Sequence, residues 1–204
     1  NIITIHGILS KIVKNPNYKD RLRLYYEKYT FQNAINVICI TDKFEKEMKA
    51  VNSAVSTYII NNPISDVFFN TKFQNMHKDF DLMLSGMIYP LKNTHLIVSI
   101  VEKIKKVKKD IKVGIIGGPI PDYQDYYNKI INDIAKKSLE NNICFLGQIE
   151  NNNIPKYLSK SKMLLHLSKQ ETGPMVVVES LILGLFVITN DVGNVSEIIS
   201  NENG

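Results

Sequence analysis

Short apolar runs alternate with longer segments along the second part of the chain, and in those segments apolar residues recur every three or four positions. The runs predict buried strands, and the recurrent segments predict helices packed against them. We predict strand 82–85, helix 94–108, strand 113–116, helix 123–139, strand 143–146, helix 154–158 and strand 163–167. This repeated alternation is typical of a doubly wound parallel sheet in an α/β protein.

The first part of the chain holds the same kinds of element in a less regular order. We predict strand 2–5, helix 21–34, strand 37–41, a helix capped by Thr41 or Asp42, and strand 56–60. Residues 61–78 contain a proline and several Asn and Phe residues but no clean period, so we predict an interdomain linker there. The predicted domains are residues 1–70, with part of this linker, and residues 71–204.

A nearly all-apolar helix near the end of the chain carries one carboxylate. We predict that this helix covers residues 174–183. Pro174 suits the first helical position, and Gly184 can adopt the left-handed conformation that ends a helix. With apolar residues all round, the helix should be buried on both sides. Glu179 in its middle must then pair with a cation inside the fold or face a cleft that holds a polar ligand. We favour the cleft, because residues 171–173 form a turn before the helix, whose N-terminus attracts anions.

Two glutamates, Glu171 and Glu179, enclose this turn and the first half of the helix. The stretch E-T-G-P-M-V-V-V-E, followed by a Gly, a strand and a D-V-G loop, resembles the signature of the retaining nucleotide-sugar glycosyltransferases of family 4, the group 1 transferases. The resemblance implies that Glu171 contacts hydroxyls of the donor sugar and that Glu179 holds the ribose of the nucleotide. It also implies that Gly173, Pro174 and Met175 bind the donor at the start of the helix.

Upstream strand ends hold further residues that the resemblance assigns to the donor. Family members have Gly-Arg at the end of the equivalent of strand 82–85 and a Lys five residues after the Arg. Here Gly86 and Lys92 match, and Met87 replaces the Arg. Lys92 would neutralise the donor's diphosphate, although its spacing alone is equally compatible with a solvated residue that opens a helix. Gly118 lies in G-G-P, which resembles the family's G-x-G-P turn and differs from the dinucleotide fingerprint G-x-G-x-x-G.

A histidine at the end of the first predicted strand is the remaining candidate for the reaction. The sequence T-I-H-G resembles the family motif in which a His faces the donor sugar. The resemblance therefore implies that His6, with Glu171 and Lys92, forms the catalytic group. A His followed by Gly also occurs in plain turns.

Two further patterns predict structural roles. Asp79 and Asp81 spell D-F-D, but they flank the start of a strand, at the edge away from ligands, so we predict no metal site there. Cys39 and Cys144 each lie in an apolar run without metal-ligand spacing. We predict that both are buried and reduced, which favours a cytoplasmic protein.

Charge is spread unevenly along the chain. The first 80 residues hold 11 of the 25 Lys and Arg residues but only 7 of the 20 Asp and Glu residues. This excess predicts peripheral contact with anionic lipid at the inner face of a membrane, or with an anionic acceptor. The sequence lacks the aromatic and basic pattern of a known nucleic-acid module, so nucleic acid is not a predicted partner.

The resemblance as a whole implies an α/β protein of the GT-B type, with two Rossmann-like domains of which the N-terminal one is only partly present. The chain starts directly in a strand, so we expect a fragment of a longer protein. The implied reaction moves a sugar from a nucleoside diphosphate sugar to a glycan or lipid-linked acceptor, with retention and without an obligatory metal or other cofactor, in polysaccharide or glycolipid biosynthesis. A nucleotide-sugar-binding protein without turnover is the alternative, which Met87 favours. The missing dinucleotide fingerprint disfavours an oxidoreductase.

Overall fold

The chain folds into two compact units, Asn1–Pro63 and Ile64–Gly204, in the computed structural model. The structure describes residues 2–5, 15–73 and 76–199. Among these described residues, no helix is long and apolar enough to cross a bilayer.

The described residues of the first unit form a parallel three-stranded sheet with two helices. In chain order the elements are β1 (Ile2–Ile5), α1 (Tyr18–Gln32), β2 (Asn36–Cys39), α2 (Asp42–Val51) and β3 (Ser56–Ile59), and the strands lie in the order β1-β2-β3. Helix α1 begins earlier than predicted because Asn17 and Asp20 form a reciprocal capping box. Thr41 caps α2, as predicted, and accepts a hydrogen bond from the Phe44 N–H at 3.2 Å.

The described residues of the second unit form a five-stranded sheet whose strands are joined by helices. Its elements are β4 (Phe80–Ser85), α3 (Leu96–Ile104), β5 (Val113–Ile116), α4 (Gln124–Lys136), β6 (Ile143–Gly147), α5 (Ile154–Leu158), β7 (Ser161–His166), α6 (Met175–Ile182), β8 (Phe186–Thr189) and α7 (Val195–Ile198). The strands are all parallel, in the order β6-β5-β4-β7-β8. The chain therefore runs outward from β4 in one direction and then returns to its other side, as a doubly wound sheet requires.

Apolar side chains fill both faces of this five-stranded sheet. One core includes residues from α3 and α4, namely Ile97, Val101, Ile130 and Ile134. The other includes residues from α5, α6 and the segment before β4, namely Leu158, Val177, Phe68 and Phe73. Because each helix buries an apolar stripe against the sheet, burial on both faces is the main stabilising term of the unit.

The segment predicted as a linker divides between the two units. The division at Pro63 precedes the predicted domain boundary at residue 70. Ile64, Val67 and Phe68 pack with the core of the second unit, so this part of the predicted linker is structurally part of that unit.

The two cysteines differ in their burial. Cys39 is buried in β2, as predicted, whereas Cys144 is exposed. The prediction of a buried Cys144 is wrong because β6 lies at the edge of the sheet, where an apolar run need not be covered on both faces.

The two aspartates of D-F-D lie at the amino-terminal end of β4 and are both paired with lysines. Asp81 accepts a hydrogen bond from Lys162 Nζ at 2.8 Å, and Asp79 forms an ion pair with Lys160 Nζ at 2.9 Å. Hydrogen bonds from Lys160 and His77 hold the pKa of the Asp79 carboxyl below its ordinary value. The pairs tie β4 to the start of β7, which is a structural role.

Candidate active site

A cleft opens at the carboxyl ends of the central strands of the second unit. Residues that end β4, β5 and β7 line it, with the segments that follow β4 and β7. They include Ser85, Gly86, Met87, Lys92, Ile116, His166 and Ser168. The cleft lies where the chain changes direction across the sheet, which is the general position of ligands in open α/β sheets.

Two glycines allow the ends of β4 and β5 to approach each other closely. Gly117 has a φ of +122°, and a Cβ atom on it would lie 2.0 Å from the backbone oxygen of Gly86. No side chain fits at this point, so residue 117 must be glycine for the two loops to keep their positions. Gly118 instead lies against Gln148, whose Cγ atom would be 3.3 Å from an added Cβ.

A short 3₁₀ turn, Pro90–Lys92, carries Lys92 into the cleft. The turn ends at Asn93, which has a left-handed backbone conformation with a φ of +53°. The Asn93 side chain donates a hydrogen bond to the backbone oxygen of Leu167 at 3.0 Å. This bond fixes the Lys92 turn to the segment that follows β7.

The segment from Leu167 to Glu171 is held from both sides. On one side, the Lys169 N–H donates to the Leu91 oxygen at 2.8 Å. On the other, the Asn190 amide donates to the oxygens of Leu167 and Ser168, at 3.1 Å and 3.0 Å. Because its backbone groups are bound to both neighbouring loops, this segment places Glu171 in a defined position.

Glu171 forms an ion pair with Lys92. The distance from Lys92 Nζ to Glu171 Oε1 is 2.5 Å, and His166 Nε2 lies 3.3 Å from the same oxygen. Burial alone would raise the pKa of the Glu171 carboxyl, but the hydrogen bonds from His166 and Lys92 outweigh it and lower this pKa to about 2. The Ser168 hydroxyl acts in the same direction through its proximity, although its oxygen has no hydrogen bond to a described residue.

Glu179 has the opposite environment. It lies half-buried on α6, and the described residues provide its carboxylate with neither a hydrogen bond nor an ion pair. Burial therefore raises the pKa of the Glu179 carboxyl. No cation among the described residues pairs with Glu179, so these residues do not support the alternative of a structural ion pair.

The apolar helix itself is less covered than its composition predicts. Helix α6 covers Met175–Ile182, with Pro174 as its N-cap and Gly184 in the predicted left-handed conformation. Only Val177 and Ser180 of its described residues are fully buried. Full burial is therefore wrong for this helix, although it packs against β7, β8 and the segment Asp66–Phe69.

The structure brings together only some of the residues predicted for the site. Gly86 and Lys92 line the cleft, and Glu171 contacts Lys92. The cleft lining does not include Gly118, Glu179 or the residues at the start of α6, Gly173, Pro174 and Met175, whose roles stay predictions. His6 lies outside the described residues, and its role also stays a prediction.

Three polar residues of the site were not predicted. They are His166 at the end of β7, Ser168 after it, and Thr189, whose Oγ1 lies 2.9 Å from His166 Nδ1. A polar residue that ends an otherwise apolar strand is a signal for such positions, since strand ends meet at the ligand edge. That signal was present in the sequence at His166 and Thr189.

Similar proteins are known at the level of family and of fold. A family model described as glycosyl transferases group 1 matches residues 68–204. The phosphatidylinositol N-acetylglucosaminyltransferase GPI3 subunit of Saccharomyces cerevisiae is 24% identical over 184 residues, which cover 85% of this chain and 39% of the yeast protein. The chain thus spans well under half the length of this relative.

Solved structures share the fold at low identity. The Anabaena protein Alr3699/HepE in complex with UDP-glucose superposes with a TM-score of 0.77 at 19% identity, over 98% of this chain and 56% of that chain. The C-terminal domain of the group 1 glycosyl transferase LpcC from Francisella tularensis gives a TM-score of 0.56 at 20% identity, over 69% of this chain and 72% of that domain. The predicted α/β fold of the GT-B type is confirmed in these alignments. Because the family model covers most of the chain, the protein belongs to the group 1 family of glycosyl transferases.

Proposed function

We propose that this chain binds a UDP-sugar and is part of an enzyme that transfers the sugar to an acceptor hydroxyl with retention at the anomeric carbon. The observation that carries the proposal is the Lys92–Glu171 ion pair, in which Lys92 lines the cleft at the sheet's carboxyl edge. Similar folds bind UDP and UDP-glucose in their solved structures, which supports uridine as the base.

Lys92 is the cation that would neutralise the diphosphate of the donor. Its ammonium lies in the cleft, and its side chain is only 23% exposed, so its field on a bound phosphate is weakly screened by water. During transfer, negative charge develops on the departing diphosphate. Lys92 and the N-terminus of α6 would stabilise this charge, which lowers the barrier to cleavage of the bond between sugar and phosphate.

Glu171 would orient the sugar. Lys92 and His166 both contact its Oε1 atom, so among the described residues no hydrogen bond uses Oε2. An ionised carboxylate accepts hydrogen bonds on both oxygens, and Oε2 is free to accept from sugar hydroxyls. Glu179 would accept from the ribose hydroxyls, which supply the donors that its half-buried carboxylate lacks.

The acceptor belongs to the same proposal. We expect a glycan or a lipid-linked acceptor, handled at the cytoplasmic face of a membrane, because the first 80 residues carry excess positive charge. The yeast relative is named for transfer to phosphatidylinositol, which is consistent with a lipid acceptor. Sedimentation with phosphatidylserine vesicles, but not with phosphatidylcholine vesicles, tests this part.

The experiment for the function is an assay of UDP released from a panel of UDP-sugars, with water as the acceptor of the sugar, by the chain and by a Lys92→Met variant. We expect release from at least one donor by the unchanged chain, a fall of about a hundredfold or more in the variant, and no effect of EDTA, since the proposal assigns no step to a metal. Binding of UDP-sugars without any release by the chain would instead favour a nucleotide-sugar-binding protein, the candidate that Met87 supports. Release that EDTA abolishes would contradict a metal-independent reaction.

A further inference from the structure

His166 occupies a position between Glu171 and Thr189 at the end of β7. Its side chain is only 4% exposed, so the ring is enclosed by the fold although it borders the cleft. Nε2 lies 3.3 Å from Glu171 Oε1, and Nδ1 lies 2.9 Å from Thr189 Oγ1. One ring nitrogen thus contacts the site carboxylate, and the other is held by the neighbouring strand β8.

The proton on the ring is fixed by its partner. The Glu171 carboxyl is ionised over the ordinary pH range, because its pKa is about 2, and an ionised carboxylate can only accept. Nε2 must therefore carry the hydrogen that it donates to Oε1. Contact with Thr189 sets the rotation of the ring, so that this hydrogen points at the carboxylate.

Lys92 and His166 share the same carboxylate oxygen but differ in what else they can do. Lys92 has a flexible side chain and is the cation expected to bind the diphosphate, so a bound donor competes with Glu171 for it. His166 is enclosed and has no such second task. When Lys92 turns to the diphosphate, His166 is the remaining described donor to Glu171 Oε1.

We propose that His166 is a positioning residue that keeps the Glu171 carboxylate directed at the donor sugar while Lys92 binds the diphosphate. This inference rests on the proposed function. It predicts that His166 contributes to recognition of the sugar and not to recognition of UDP. Loss of its Nε2 hydrogen bond should therefore lower turnover and the extra affinity that the sugar adds, while the affinity for UDP itself stays the same.

Two substitutions of similar size separate this role from simple filling of space. His166→Gln places an amide N–H near the position of Nε2 and keeps the donor to Glu171. His166→Asn reaches only the region of Nδ1 and loses that donor. For His166→Asn we expect a fall of about tenfold or more in kcat/KM for UDP release from the active UDP-sugar, with less than about a twofold change in the Kd for UDP. For His166→Gln we expect kcat/KM within about threefold of the unchanged chain.

Thermal unfolding of both variants checks that each is folded, and Thr189→Val provides a second route if His166→Asn does not fold. Thr189→Val frees the ring without removing it, so it should lower kcat/KM and leave the Kd for UDP unchanged. Equal loss in the Asn and Gln variants, or a Thr189→Val protein with unchanged kcat/KM, would overturn the positioning role while UDP binding by the unchanged chain upholds the proposed function. A chain that binds neither UDP nor any UDP-sugar would overturn both.

Discussion

The two glutamates of the motif have carboxyl pKa values that move in opposite directions, and their surroundings explain why. Glu171 has two donors, Lys92 and His166, which lower its pKa to about 2 against the effect of burial. Glu179 has burial without a described partner, so its pKa is raised. A half-buried carboxylate without a partner lowers stability unless a ligand provides one. We expect this difference if Glu171 is positioned by the protein to bind the sugar and Glu179 gains its hydrogen-bond donors only when the nucleotide binds.

Replacement of Glu179 by glutamine should raise the stability of the chain and weaken its binding of UDP. Folding raises the pKa of Glu179, so the folded state holds its proton more tightly, and the carboxyl lowers stability increasingly as pH rises through the folded pKa. Glu179→Gln should therefore raise the melting temperature of the ligand-free chain at pH 7 to 8, and the gain should vanish below the ordinary pKa of about 4. The same change should weaken UDP binding by about 1–3 kcal/mol.

Calorimetric titration with UDP and unfolding scans across this pH range check both effects. An exposed carboxylate away from the cleft gives the control, since Glu140→Gln, just before β6, should reproduce neither pattern. A Glu179→Gln variant that binds UDP as tightly as the unchanged chain would remove Glu179 from the nucleotide site.

Met87 is the clearest departure from the family pattern, and the structure places it on the cleft. Its side chain is 38% exposed there, so an arginine has room to extend into solvent or toward a phosphate. Met87→Arg should tighten UDP binding by about 1 kcal/mol and raise turnover, because a guanidinium can hold two phosphate oxygens at once.

The gain from Met87→Arg should shrink as salt is raised, because the cleft is open to solvent. Titration with UDP at low and high salt measures it, and Met87→Gln is the uncharged control. Unchanged or weaker binding in the arginine variant would mean that residue 87 does not face the phosphates.

The loops that carry the site are joined to one another by hydrogen bonds. Asn93 and Asn190 bind the segment after β7 from its two sides, and the turn at Pro90–Lys92 is attached to the same segment. The geometry of the Lys92–Glu171 pair therefore depends on two side-chain amides that touch neither residue. Such supporting contacts explain how loops can hold reactive groups in a defined arrangement.

Asn93 should support the site in two ways, through its side chain and through its left-handed backbone. Asn93→Ala loses both and should destabilise the chain by about 1–3 kcal/mol and weaken UDP binding. Asn93→Gly loses only the hydrogen bond to Leu167, because glycine adopts a positive φ without strain, and it should recover part of the stability. Urea unfolding of the three proteins gives the comparison, and equal stability of all three would contradict this role for Asn93.

The second unit contains all the described residues of the candidate site. Its sheet has apolar cores on both faces, and the segment 64–73 belongs to it through Phe68 and Phe73. The yeast relative and the Anabaena structure are much longer than this chain, whereas the Francisella structure is a C-terminal domain alone. These observations are consistent with a unit that folds on its own.

Residues 64–204 alone should therefore fold and bind UDP with an affinity within about threefold of that of the whole chain. A segment from residue 79 onward, which lacks Phe68 and Phe73, should be less stable because it leaves part of one core uncovered. Unfolding scans and UDP titration of both segments test this. A folded 64–204 segment that binds no nucleotide would place the essential contacts in the first unit.

The strands and the position of the motif were predictable from the sequence because each depends on local pattern. Strands β1 and β5 match their predicted bounds, and α6 differs from its prediction by one residue at each end. Burial was less predictable. Cys144 is exposed because β6 is an edge strand, and strand order across a sheet is not a local property of the sequence.

The contacts of the site were predictable only in part, for the same reason. Lys92 and Glu171 were predicted from the family pattern, but their direct pairing depends on loops that lie far apart in the chain. His166 was missed because its contact with Thr189 depends on the register of β7 and β8, and its contact with Glu171 depends on the fold of the loop after β7. Long-range register, rather than residue type, decides which polar strand ends meet.

The most direct test of the proposed nucleotide-sugar site is a titration of the ¹⁵N-labelled chain with UDP, followed through its amide resonances. We predict saturable shifts at the carboxyl edge of the sheet, at Gly86, Met87, Gly173 and Met175, and none at Asp79 and Asp81 on the opposite edge. Addition of the active UDP-sugar should further shift the amides around Glu171. Absence of saturable shifts, or shifts confined to the opposite edge, would contradict a nucleotide-sugar site formed by Lys92, Glu171 and the start of α6.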